Sequence, residues 1–263
     1  MIAGVDATSA QGTAVLIAGA GVLGAIVGSF LGATLVRLPA GRSVVTGRSA
    51  CDGCGKTLSA RELVPVLSWL AQRGKCRGCG APIGAWQLGA EIGAALVAMG
   101  AVAFAMQGTV LAAMLLGWQL LLLALLDARH MWLPRMLTAL LVASGVTVAA
   151  THAYAIGDLL PLELALLGGA LGFAALWLVA FAYRRVRGRE GMGGGDPPLM
   201  GAIGVWLGPQ GVILTILGGT LIGLVAVLAL FVAGRKLSAD SVLPLGTCLA
   251  IVAWPLFVWG GWV

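Results

Sequence analysis

The sequence predicts an all-α polytopic membrane protein of about eight transmembrane helices, with a small cytoplasmic zinc-ribbon-like domain inserted between the first two. Three observations predict this class. Of 263 residues, 60% are hydrophobic and only 10% charged, and the mean hydropathy is +1.01; soluble domains carry about 25% charged residues. Apolar segments recur along the chain, most of them near the roughly 20 residues that a helix needs to cross a hydrocarbon core. All sixteen Lys and Arg fall in alternate loops.

The expected spans cover 13–36, 87–106, 108–126, 134–152, 161–183, 197–208, 210–234 and 242–263. The sixth is short and holds Pro197, Pro198 and Gly201, so it reads as a half-helix or re-entrant segment. Eight basic residues lie between spans one and two (Arg37, Arg42, Arg48, Lys56, Arg61, Arg73, Lys75, Arg77). Two more lie between three and four (Arg129, Arg135), four between five and six (Arg184, Arg185, Arg187, Arg189) and two between seven and eight (Arg235, Lys236). Lys and Arg near span ends are retained inside, so these loops are expected in the cytoplasm and both termini outside. The net charge of +6 then reads as topology and contact with anionic membrane lipids, not as nucleic-acid binding. The 41 glycines suit close helix packing, with Gly28 and Gly32, and Gly218 and Gly219, as examples.

The expected division is a first span at 1–36, a four-cysteine domain at 37–86 and a transmembrane domain at 87–263. The 37–86 segment alone is long enough to fold outside the membrane. It holds Cys51-Asp-Gly-Cys54 and Cys76-Arg-Gly-Cys79, close to the zinc-ribbon pattern of two C-x-x-C knuckles. Gly53, Gly55, Gly78 and Gly80 flank the second cysteine of each pair and permit the tight turn that brings two thiolates to one ion. A reducing cytoplasm argues against disulfides, and four thiolates leave zinc no open position, which makes the site structural. A redox pair is the competing reading. Binding worth roughly 10–16 kcal/mol would fold a loop with little core. Cys248, alone in the last span, reads as an apolar filler.

Two acids stand out. Asp127 ends the run LLLALLD at the cytoplasmic end of span three, and Asp196 opens span six from the same side, after Gly193, Gly194 and Gly195. An ionisable group there normally faces a cavity or a partner. If the two share a site they hold one proton between them, so that one activates water while the other polarises a peptide carbonyl. The glycine run would let an extended peptide approach the backbone. On the residues alone the alternative stays open: Asp127 ending a helix beside Arg129 or Arg135, and Asp196 capping the N-terminus of span six. Asp6, Asp158, Glu163, Glu190 and Asp240 lie in loops or towards the outer face, and Asp52 and Glu62 in the metal domain. Glu91, inside span two, is expected to line the same cavity as the aspartates. His130 and His152 read as solvated loop histidines.

These residues resemble the type IV prepilin peptidase family, membrane aspartic enzymes that process prepilins and type II secretion pseudopilins. GSFLGATLVRLPAGRS (28–43), both knuckles and PVLSWLAQRGKCRGCGAPI (65–83) are similar to the cytoplasmic domain of its long form. LLDARHMWLPRMLT (125–138) resembles the first aspartate motif and GMGGGDPPLMGAIGVWLG (191–208) the second. The resemblance implies Asp127 and Asp196 as catalytic acids, residues 87–263 as a peptidase domain and the bacterial inner membrane as location. It further implies cleavage after a Gly at the leader junction, then N-methylation of the new terminus with S-adenosylmethionine. Arg135 and Pro198 stand where the family usually has an Asp and often a Lys. They motivate one rival reading, an inactive member acting as assembly scaffold; the other is an ion-coupled transporter, with the acids as a cation path.

Overall fold

The computed structural model describes residues 10–44, 46–106, 108–234 and 243–260. Asp6, Arg235, Lys236, Asp240 and the two ends of the eighth expected span lie outside the described residues. The chain forms two compact units, Met1–Ala105 and Met106–Val263.

The first unit holds helices α1 (Ala10–Arg37), α2 (Leu67–Ala71) and α3 (Ala85–Phe104), with a single 3-10 turn at Ala60–Leu63. Helices α1 and α3 pack antiparallel through small residues. Gly24, Gly28 and Gly32 of α1 face Ala94–Ala95, Ala90–Glu91 and Gln87 of α3 in turn. A Cβ on Gly28 would lie 2.5 Å from the Cα of Glu91. Opposite this stripe, Ala90, Ala94, Ala98 and Ala101 are fully buried. Lipid tails are as apolar as leucine, so attraction between such helices comes from close van der Waals packing, which small residues permit.

The second unit holds α4 (Val110–His130), α5 (Arg135–Ile156), α6 (Leu160–Arg187), α7 (Asp196–Val232) and α8 (Leu245–Gly260). Helix α8 runs antiparallel to α4 and meets it at two points: the indole N–H of Trp254 donates to the Ala113 carbonyl at 2.8 Å, and the Thr247 hydroxyl lies 2.9 Å from the Ala124 carbonyl. Trp206 of α7 is 2% exposed; it donates to the Leu141 carbonyl of α5 at 2.9 Å and meets Phe257 of α8 edge-on at 5.6 Å.

Helices α1 and α3 to α7 are long and apolar enough to cross a membrane, and α8 is a shorter apolar helix. The expected sixth and seventh spans are the two arms of α7. Straight, its 37 residues would extend about 55 Å, well beyond a hydrocarbon core of about 30 Å. It is broken at Gly208, where φ +63° and ψ −175° lie in a region essentially restricted to glycine, and Pro209 withholds the next amide donor. The first arm is a half-helix enclosed by protein: Leu199, Met200, Ala202, Ile203 and Leu207 are all 0% exposed. Gly168 and Gly172 of α6 admit this arm, with Gly168 against the Gly204 carbonyl and the Gly208 backbone.

Two histidines differ from expectation, and the first, His130, is the exposed last residue of α4. His152 is not in a loop but within α5, half-buried, with Nδ1 lacking a partner among the described residues. The apolar run TVAATHAYAI carries the helix on to Gly157.

A Cβ at position 168 would lie 2.7 Å from the Gly208 backbone, where nothing flexible can yield. Gly168→Ala is therefore expected to cost about 1–3 kcal/mol, read as a lower melting temperature in detergent. Gly223→Ala, with nothing within 4 Å of the added atom, should leave the melting temperature in place.

Candidate active site and metal centre

Asp127 shares a helix face with Leu116, Leu120 and Leu123, at the spacing that lines one side of α4, and all four are buried. The carboxyl itself is the exception on an apolar stripe. Its partners come from the start of α8. The Thr247 backbone N–H donates to Oδ2 of Asp127 at 2.8 Å, the Thr247 hydroxyl lies 3.2 Å from the same oxygen, and the Gly246 N–H also reaches the carboxylate. The first N–H groups of a helix have no partner within it and carry the positive end of its dipole. Asp127 therefore occupies a ready-made anion position.

Asp196 is the first residue of α7 and also sits at a helix N-terminus. Its carboxylate accepts the Gly193 N–H, and its own N–H donates to the Gly193 carbonyl at 3.1 Å. Only 5% of Asp127 and 6% of Asp196 is exposed. The two carboxyls flank the same side chain, Leu133. Leu133 sits between the two helix starts: a Cβ on Gly195 would lie 2.7 Å from it, and one on Gly246 would lie 3.1 Å from it and 3.0 Å from Oδ2 of Asp127. Glycine at both positions is what lets Leu133 and the acids come together.

The other expected residues divide. Gly193 lies against the Asp196 carboxylate, Gly195 against Leu133, and Gly194 faces open space. Among the described residues Asp127 makes no ion pair with Arg129 or Arg135; its partners are the α8 amides. Glu91 is engaged within the first unit, where its carboxylate accepts the Val66 N–H at 2.7 Å and the Ser29 hydroxyl. That bond holds Val66 at φ +61°, a strained value for a β-branched residue, at the start of α2. Cys248 is buried in α8 as an apolar filler would be. Gly246 and Thr247 escape sequence reasoning, because a Gly-Thr pair opening an apolar segment reads only as a helix start. The nearest signal was Pro244 just ahead of them.

The four knuckle cysteines converge. Their sulfurs all lie within 4.8 Å of one another, and those of Cys51 and Cys79 are 3.8 Å apart. Tetrahedral coordination with metal–sulfur bonds of about 2.3 Å places sulfurs about 3.8 Å apart, so the set fits one metal ion. The two knuckles repeat the same turn. Gly53 and Gly78 N–H groups point to the Cys51 and Cys76 sulfurs at 3.4 Å, and Gly55 and Gly80 close each turn at φ +72° and +73°. Isolated antiparallel bridges, Ala50 with Thr57 and Lys75 with Pro82, zip each knuckle shut. The Cys79 and Gly78 amides hold the Cys76 thiol down to about 7, towards the thiolate that binds metal, whereas, against the Ala81 amide, the Cys54 thiol pushes Cys79 up to about 11.

The acids and the cysteines each lie within a region that matches a known family. Residues 114–228, which contain Asp127 and Asp196, match the type IV leader peptidase family. Residues 22–105, which contain the four cysteines, match the bacterial peptidase A24 N-terminal domain. A protein of Aeromonas hydrophila is 35% identical over 83% of this chain and 73% of its own length. One of Burkholderia pseudomallei is 36% identical over 84% and 79%, and one of Pseudomonas aeruginosa 35% identical over 91% and 89%. Each carries the name prepilin leader peptidase/N-methyltransferase. This chain belongs to the type IV leader peptidase family. No solved structure matches it.

Family membership does not set the metal content, which is open to direct measurement. Metal analysis of purified protein should return one ion per chain. Cys51→Ser or Cys76→Ser should bring that content down together with folded yield, since binding free energy is folding free energy in such sites; an unchanged yield would speak against a structural ion.

Proposed function

We propose that this chain is an aspartic endopeptidase that cleaves the leader of type IV prepilins or type II secretion pseudopilins and then N-methylates the new terminus. The observation that carries the peptidase reading is the pair of buried acids, Asp127 and Asp196, each held at a helix N-terminus and both beside Leu133. Among the described residues Asp127 receives the larger donor set, which suits the carboxylate form, and Asp196 receives the Gly193 amide. Asp127 then acts as base and takes a proton from water, whose oxygen bonds to the peptide carbonyl carbon. Asp196 gives its proton to the carbonyl oxygen. The gem-diol formed collapses as the Asp127 proton passes to the leaving nitrogen, the C–N bond breaks, and a diol hydroxyl returns its proton to Asp196.

The alternate distribution of basic residues supports a cytoplasmic active face, with both termini outside and the chain in the inner membrane. A substrate with a basic leader in the cytoplasm and an apolar helix in the membrane then brings its scissile bond to the acids without leaving the bilayer. Gly194, open to the outside of the turn, leaves room for that extended segment. The arginines closing α6, Arg184, Arg185 and Arg187, suit anionic lipid headgroups. The knuckle ion is zinc in this reading, held by Cys51, Cys54, Cys76 and Cys79, and its role is to fold the loop. S-adenosylmethionine supplies the methyl group. Among the described residues no strand leads into a Gly-rich turn that would fit this donor, so the methyl-transfer half rests on family membership.

The rival readings find less support. A cation path calls for acids spread through the bilayer depth, whereas these two sit together. The departures that motivate an inactive scaffold leave the acids untouched: Arg135 opens α5 on the surface, and Pro198 stands in the first turn of α7, where proline needs no amide donor.

Co-expression with a prepilin and mass spectrometry of the mature N-terminus reports cleavage position and methylation together. Asp127→Asn and Asp196→Asn should each reduce leader cleavage by about a thousandfold or more, with membrane insertion and melting temperature close to wild type. Retained processing in either variant would sink the assignment.

A further inference from the structure

Helix α8 lies outside both matched regions, which end at residues 105 and 228, yet it supplies the donors to Asp127. We propose that Thr247 is a positioning residue for the proposed peptidase reaction, fixing which oxygen of Asp127 meets the water. The inference rests on the peptidase reading.

Three features point to it. First, the Thr247 N–H and hydroxyl both address Oδ2, at 2.8 and 3.2 Å. With Oδ2 so engaged and the Gly246 N–H also on the carboxylate, rotation of the carboxylate about its Cβ–Cγ bond is resisted, and in this proposal Oδ1 is the oxygen that meets the reacting water. Second, the hydroxyl stands 2.9 Å from the Ala124 carbonyl, one turn before Asp127 on the same helix. A hydroxyl has one proton to donate and two lone pairs to accept with. It therefore donates to Oδ2 when Asp127 is a carboxylate. Once the water's proton has passed to Oδ1, Oδ2 is the carbonyl oxygen of the acid and still accepts from Thr247, so both states of the catalytic cycle keep a partner. Third, α8 cannot drift from α4, because Trp254 bonds the Ala113 carbonyl at the far end. General-base catalysis depends on holding such an atom to within a few tenths of an ångström.

Threonine and valine have the same shape, so Thr247→Val removes the hydroxyl and keeps the amide and the packing. Cleavage kinetics on a synthetic prepilin-type peptide, with a basic leader, a Gly junction and an apolar segment, should show kcat reduced on the order of tenfold with KM unchanged. Thr247→Ser, which restores the hydroxyl, should return kcat to within about twofold of wild type. If Thr247→Val melts well below wild type, Thr247→Ser against Thr247→Ala carries the same comparison, with Ser active and Ala reduced. Wild-type kcat in Thr247→Val, a change in KM alone, or an equal loss in the Ser and Val variants would overturn the positioning role while leaving the peptidase reading in place. A wild-type protein that leaves this peptide intact, and leaves co-expressed prepilin unprocessed, would overturn both.

Discussion

Two carboxylates held out of water must find hydrogen-bond donors, and that requirement shapes the second unit. An ionisable group within the hydrocarbon region is costly unless it faces a partner. In a bundle of apolar helices the donors that cost least are the unpaired amides of a helix start. Asp127, at the end of α4, is met by the start of α8; Asp196 opens α7 and closes a turn with Gly193. Three helix termini must therefore converge on one place. Leu133, between Gly195 and Gly246, fills the gap that the convergence leaves.

The remaining architecture serves that convergence. The first arm of α7 can begin beside Asp127 only if it is surrounded by protein, and α6 admits it through glycines whose backbones touch its own. The break at Gly208 then separates an enclosed half-helix that carries the acid from a longer arm with an exposed apolar surface. Trp206 ties the enclosed arm to α5 and α8 with one indole. In the first unit the physics is divided differently. A stripe of glycine against alanine joins α1 to α3, while the loop between them has little apolar core and is organised around four sulfurs. Glu91, an acid on an apolar helix, meets the same requirement by accepting the Val66 amide and the Ser29 hydroxyl.

Much of this was legible in the chain. Apolar run lengths located the helices, because a hydrocarbon core demands about 20 such residues, and the short proline-containing run at 197–208 marked the half-helix. The C-x-x-C pairs marked the four-sulfur cluster, because two thiolates of one knuckle lie within reach of each other whatever the rest of the fold does. Asp127 and Asp196 announced themselves by being charged where charge is expensive. Less legible were Glu91, whose partner depends on where α2 begins, and His152, which apolar neighbours drew into α5.

What the sequence determined by itself is local: which stretches are helical and apolar, where thiolates and acids stand, and which loops carry positive charge. Each follows from composition within a window of a few residues. What only the tertiary structure decided is which helix end meets which acid. Thr247 lies 120 positions from Asp127, and nothing in a Gly-Thr pair distinguishes an amide awaiting a carboxylate from one awaiting water. That choice is made by helix packing, through Trp254 on Ala113, Leu133 between two glycines and α6 against α7, so it is a property of the assembled bundle.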